Sequence, residues 1–244
     1  MTDTGAAPSA GTGTGTGTTI ETAADTDFVA ATRVFYDAIA EDYYALFRSG
    51  LAEQPLERAL LAAYAEFVRG SGGGTGQVAD LGCGPGWVTA LLDSLGLSVF
   101  GLDVSASMLT VARREHPGLR FEQGSMLELD LPDGTLAGVV SWYSTIHTPA
   151  DQLPALFAEF RRVLAPGGHL LLAFQAGDVH KHHDRPFGRP VSMTFQRRRP
   201  ERIAELLTEA GFTLTSQTVR AAYEEAGESS PQAFLMARRP AQYP

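Results

Sequence analysis

Two kinds of apolar spacing divide this chain. From Phe28 to Phe47 apolar side chains recur at helical intervals, Val34, Ile39 and Leu46 among them, and a second helix is expected from Leu56 to Val68. Beyond a glycine-rich link at Gly70–Gly74 the pattern changes to short continuous runs: Val78–Leu81, Leu97–Leu102, Leu136–Val140 and Leu170–Phe174. Such runs suit strands covered on both faces, as in a parallel sheet between helices. A further strand is expected over Leu119–Gln123. One helix opens after Gly86, and another ends before Pro166-Gly167-Gly168, where proline cannot continue it and glycine accepts positive φ. An amphipathic helix over Glu201–Ala210 closes at Gly211. Two strands follow, Phe212–Arg220 and Gln232–Ala237, joined by an acidic hairpin around Glu224, Glu225 and Glu228. Strands alternating with helices predict an α/β fold.

The turn after the first strand carries the most chemistry. Asp80 is followed by Gly82, Cys83, Gly84 and Gly86, then by Trp87 at the start of the helix. Glycines there let backbone N–H groups approach a ligand closely, and the carboxyl edge of an open α/β sheet is where ligands bind. A dinucleotide fingerprint needs G-x-G-x-x-G, but its third glycine position is occupied here by Trp87. Asp80 would also repel a phosphate, whereas it suits a ligand with a free ammonium. A nicotinamide dehydrogenase is therefore the poorer reading.

The run Val78–Thr89 resembles the first motif of the Rossmann-like, seven-stranded S-adenosylmethionine-dependent methyltransferases, of the type acting on small molecules. The resemblance implies a doubly wound, mostly parallel sheet with an antiparallel C-terminal strand and helices on both faces. It implies S-adenosyl-L-methionine as cofactor and S-adenosyl-L-homocysteine as product. Gly82, Cys83 and Gly84 would meet the cofactor through the turn, and Asp80 would face its methionyl part. Asp103, at the end of the second strand, would accept hydrogen bonds from the ribose hydroxyls. Val104 and Met108 would lean on the adenine, and Ser125 and Met126 would meet it after the third strand, although the family more often has an acid where Ser125 stands. Ser141 joins this set. Tyr36 and Tyr43, on a helix resembling the family's cover segment, would present hydroxyls to the methionine carboxylate. Methyl transfer is an in-line displacement that asks for alignment, exclusion of water and at most one proton acceptor. His147 is the candidate base, since an ordinary imidazole titrates near neutrality. Tyr143 is the candidate for a wall of the acceptor cavity.

Composition narrows the partners. The formal charge of −9 disfavours a duplex or an anionic membrane, and the Arg197-Arg198-Arg199 run reads as solvated surface. No apolar stretch reaches membrane-spanning length and no secretion signal is apparent, so a cytoplasmic enzyme with a small-molecule substrate is expected. The lone Cys83 excludes an intrachain disulfide. Residues 1–26, with the Gly11–Thr18 repeat, are expected to be a disordered tail, and residues 27–240 one domain. The segment at 176–196 is expected to be a lid over the substrate. Its His180, His182, His183 and Asp184 lack the helical spacing of zinc motifs, so no metal is assigned. Two alternatives survive: an enzyme that binds S-adenosylmethionine but catalyses a cyclisation or rearrangement, and a non-catalytic module. Intact Asp80, glycines and Asp103 weigh against the latter.

Overall fold

In the computed structural model, which describes residues 22–49, 51–70 and 76–241, the apolar runs form β1 (Gln77–Leu81), β2 (Val99–Asp103), β3 (Arg120–Gln123), β4 (Leu136–Trp142) and β5 (Leu164–Gln175). Two later strands, β8 (Thr213–Arg220) and β9 (Gln232–Arg238), complete one seven-stranded sheet in the order β3-β2-β1-β4-β5-β9-β8. All pairings are parallel except those of β9, which runs antiparallel to both β5 and β8. The sheet is the doubly wound one expected. Its order reverses between β1 and β4, which opens a crevice at their carboxyl ends.

Alternation along β5 shows how the two faces are filled. Leu170 and Leu172 join a cluster with Phe157, Phe160 and Leu207, from α5 (Leu153–Val163) and α6 (Pro200–Glu209). Leu171 points the other way, into a cluster with Leu61 and Tyr64 of α2 (Pro55–Gly70) and Leu92 of α3 (Trp87–Ser94). Successive strand residues face opposite sides, so a continuous apolar run is what a doubly covered strand requires. Gly138 lies under Tyr64, whose hydroxyl occupies the space a Cβ would need.

The helix α1 (Thr22–Phe47) packs on α4 (Ala106–Glu115) and roofs the crevice. It begins at Thr22, so it takes in residues 22–26 of the expected tail. Extending an existing helix adds one hydrogen bond per residue and needs no apolar stripe, the only signal the pattern offered. The expectations for residues 1–21 and for the glycine link at 71–75 lie outside the described residues. The 176–196 segment contains a hairpin, β6 (Lys181–Asp184) with β7 (Ser192–Phe195), pairing His182 with Thr194 and His183 with Met193. Its strands carry no buried side chain, hence no apolar alternation that would have announced them. Among the described residues no helix is long and apolar enough to cross a membrane.

Candidate functional site

The glycine turn is shaped by what surrounds it. Gly82, Gly84 and Gly86 all have positive φ, at 73°, 51° and 86°. A Cβ on Gly82 would collide with the Ser144 side chain, whereas one on Gly84 would meet nothing within 4 Å. Gly84 therefore borders open space, the arrangement a close-lying ligand needs. Gly84 N–H donates to Asp103 Oδ2 at 2.8 Å and Ser105 N–H to Oδ1 at 2.9 Å. Burial raises the pKa of this carboxyl, and the two backbone donors work against that shift.

Asp80 sits on the other side of the turn, 1% exposed. Thr89 Oγ1 donates to its Oδ2 at 2.6 Å, while Oδ1 is buried without a partner. Burial pushes this carboxyl up to about 7. A buried acceptor left unmet is costly, and an ammonium beside Oδ1 would both satisfy it and hold it ionised.

The roof is fastened at several points. Asp37 of α1 accepts from Ser105 Oγ at 2.6 Å and from Ser107 N–H at 3.0 Å. Ser105 Oγ in turn accepts from Met108 N–H and caps α4. Tyr43 and Tyr44 both stack on Trp87, with ring centroids 6.0 and 5.9 Å away. The indole that spoils a dinucleotide motif thus fastens the covering helix to the turn.

At the far end Tyr36 Oη and His147 Nε2 lie 2.8 Å apart. His147 occupies a short 3-10 turn, Thr145–His147, and packs against Phe195 of the hairpin, centroids 4.9 Å apart. Its Nδ1 is buried without a partner. Burial, with help from the nearby Arg198 charge, takes this imidazole down to about 3. That lies below the neutral range in which a base was expected here. Tyr143 has φ of 55°, unusual for a residue with a side chain, and burial raises its hydroxyl well above the phenol range.

Thirteen of the fourteen residues singled out from the sequence line this one crevice: Tyr36, Tyr43, Asp80, Gly82, Cys83, Gly84, Asp103, Val104, Met108, Ser125, Met126, Tyr143 and His147. Ser141 does not. It is fully buried below the floor, where its hydroxyl bonds Ser144 Oγ at 2.6 Å. Ser144, expected only as part of the Trp142–His147 floor and not named as a cofactor contact, lines the crevice and donates to the Leu81 carbonyl at 2.6 Å. Trp87, Thr148 and the α1 residues Phe28 and Thr32 also line it. Tyr36, expected to offer its hydroxyl to the methionine carboxylate, has that hydroxyl 2.8 Å from His147 Nε2. Ser125 Oγ accepts from Leu127 N–H at 3.2 Å. The hairpin histidines have separate partners: His180 Nδ1 accepts from Arg197 N–H, His182 meets Thr194, and His183 packs on Phe195. Among the described residues no three His, Cys, Asp or Glu side chains converge as metal ligands would. The arginine run is not uniformly solvated, because Arg198 is buried.

A family model described as a methyltransferase domain matches residues 78–168, from β1 into β5. An uncharacterised methyltransferase of Synechocystis sp. is 31% identical over 148 residues, covering 57% of this chain and 67% of that protein. The chain belongs to the S-adenosylmethionine-dependent methyltransferases. A trans-aconitate 2-methyltransferase of Methylobacterium nodulans is 42% identical over 99 residues, 38% of this methyltransferase and 36% of its own length. The chain spans between 36% and 42% of the length of several curated relatives that it matches. Among solved structures, the DhpI complex with S-adenosylhomocysteine superposes with a TM-score of 0.63 at 25% identity, covering 88% of this methyltransferase and 98% of DhpI.

Proposed function

We propose that this protein transfers the methyl group of S-adenosyl-L-methionine to a small-molecule acceptor, with S-adenosyl-L-homocysteine as the second product. The observation that carries the reading is the pair of buried carboxylates flanking the glycine turn. Asp103 is held at the rim by Gly84 N–H and Ser105 N–H. Asp80 keeps one oxygen unmet. An anionic cofactor would be repelled by both, and a cationic nucleoside suits them. In this assignment Asp103 anchors the ribose, Val104, Met108 and Met126 flank the adenine, Ser125 meets its edge, and the Gly82–Gly84 turn with Asp80 receives the amino-acid end. The cofactor supplies an electrophilic methyl with a built-in leaving group.

The remaining work belongs to the chain. Tyr36, Tyr43 and Trp87 exclude water, and α1 closes over the turn through Asp37. His147 stays neutral and acts by hydrogen bonding, with its orientation set by Tyr36. Tyr143 shapes the acceptor wall in a backbone conformation that the surrounding structure must enforce. We take residues 22–241 to act as one domain and the 176–196 hairpin as a cover for the acceptor. A small acceptor rather than nucleic acid fits the acidic balance. A cytoplasmic setting fits a single buried thiol with no partner cysteine.

The deciding experiment is calorimetric titration with S-adenosylhomocysteine, followed by incubation with S-adenosylmethionine and candidate acceptors, trans-aconitate first on the strength of the Methylobacterium relative. A product heavier by one methylene unit, formed together with S-adenosylhomocysteine, supports transfer. A product isomeric with its substrate would establish the rearrangement reading instead. Absence of cofactor binding would defeat both.

A further inference from the structure

The three arginines that close the hairpin segment have different surroundings. Arg199 is exposed and pairs with Asp178 at 2.7 Å, and Arg197 donates to Ser229 Oγ at 2.8 Å while its Nε, like that of Arg198, is buried without an acceptor. Arg198 is 7% exposed and has no carboxylate partner among the described residues. Its Nη2 donates to the Thr148 carbonyl, while its Nε is buried with no acceptor. A guanidinium does not shed its charge at physiological pH. An unpaired charge buried in a protein is costly, so it calls for a compensating partner.

Arg198 does not itself line the crevice, but it lies against a residue that does. Thr148 and His147 both line the acceptor end of the crevice, and Arg198 stands immediately behind them. His147 adds a second unmet nitrogen. Its Nε2 lies 2.8 Å from Tyr36 Oη, and its Nδ1 is buried without a partner. The wider charge pattern agrees. Residues 176–199 hold six Lys or Arg against two Asp, a local excess of positive charge in a chain of net charge −9. The opposite end of the same crevice presents Asp80 and Asp103. One end is built for a cation and the other for an anion.

We propose that the methyl acceptor carries a carboxylate, and that Arg198 selects it by drawing that group against the His147–Thr148 wall. The proposal rests on the methyl-transfer reading above and names the class of substrate that the site takes. Arg198 acts here as a specificity residue, through its charge and its grip on the Thr148 carbonyl.

The test uses the protein saturated with S-adenosylhomocysteine, titrated calorimetrically with malonate and citrate and with their neutral ethyl esters. The acids are expected to bind about tenfold or more tightly than the esters. Arg198→Met is expected to lose about tenfold or more of the affinity for the acids and none for the esters. Arg198→Lys, which keeps the charge, should recover part of it. Affinity for S-adenosylhomocysteine should stay within roughly twofold in both variants, because Arg198 is remote from the turn. Lack of acid binding, equal binding of acid and ester, or undiminished acid binding by a Met variant that still takes S-adenosylhomocysteine overturns the proposal. If the Met variant does not fold, the acid–ester comparison in the unaltered protein decides alone. Failure of that protein to bind S-adenosylhomocysteine would strike the methyl-transfer reading instead.

Discussion

The two ends of the crevice are assembled over different distances along the chain. At the glycine turn the deciding bonds are short in sequence: Thr89 to Asp80 spans nine residues and Gly84 to Asp103 spans nineteen. At the acceptor end Tyr36 and His147 are 111 residues apart, and Arg198 reaches back 50 residues to Thr148. The first end is made mostly of backbone, held by adjacent strands. The second is made of side chains brought together by a roof helix, a 3-10 turn and a hairpin. A site built locally leaves its spacing in the sequence, and a site built by tertiary packing does not.

The sharpest way to break this contrast is to add a methyl group at two glycines of the same turn. Both have positive φ, which costs a residue with a Cβ about 1–2 kcal/mol. Gly82→Ala must also displace Ser144, a core overpacking worth ~1–3 kcal/mol more, whereas Gly84→Ala meets open space. Thermal denaturation should show the Gly82 variant melting roughly 4–20 °C lower, and the Gly84 variant only about 2–8 °C lower. Equal losses would mean that Ser144 yields freely and the turn is not held from below.

Asp103→Ala comes next. Its carboxylate accepts from two backbone donors and has capacity left for a ligand. Losing a charged acceptor of this kind costs roughly 2–3 kcal/mol, so affinity for S-adenosylhomocysteine should fall about 100-fold by calorimetry. Asp103→Asn, which keeps the shape, should lose less. If Asp103→Ala binds as well as the unaltered protein, the ribose assignment is wrong.

Asp80 provides a test by pH alone. Its folded carboxyl titrates at about 7, above its ordinary value of 3.8. The native state therefore holds a proton that the unfolded chain has released, and this group makes stability decline as pH rises through that interval, then level off above 7. A cation bound beside Oδ1 pulls the other way and favours the ionised form. Affinity for S-adenosylhomocysteine should weaken by about tenfold per pH unit as pH drops below 7, with one proton released per molecule bound. Flat affinity between pH 5.5 and 8, and no dependence of the measured heat on buffer, would separate Asp80 from the ligand.

These tests show why one end was legible and the other was not. The apolar runs gave the strands, because a doubly covered strand has no polar face, and Leu171 and Leu172 need opposite partners. Gly82, Gly84 and Asp103 were readable because a close ligand approach and a strand-end acceptor each demand a particular residue type. Ser141 was assigned to the crevice because strand position alone does not say which of two nearby serines faces it; the clue lay in Gly82, whose missing Cβ makes room for Ser144. Arg198 looked like surface because nothing in three consecutive arginines says which one the hairpin turns inward. His147 lines the crevice, and the basicity expected of it was that of an ordinary solvated imidazole. Depth of burial is a tertiary property, and it takes that imidazole down to about 3.

The smallest expected effect separates the two uses of His147. Tyr36→Phe removes one hydrogen bond to Nε2 and leaves the aromatic roof in place. If the pair positions the acceptor, turnover per acceptor encounter should fall by about five- to tenfold, the worth of one neutral hydrogen bond, with affinity for S-adenosylhomocysteine unchanged. The shape of the pH profile matters more than the size of the loss. An imidazole at about 3 is neutral throughout pH 5–9, so acceptor turnover should show no limb near 6.5 before or after the substitution. A limb at 6.5 that vanishes in His147→Asn would restore the histidine as proton acceptor. Its absence would make the acceptor end, like the glycine turn, a device for positioning rather than for proton transfer.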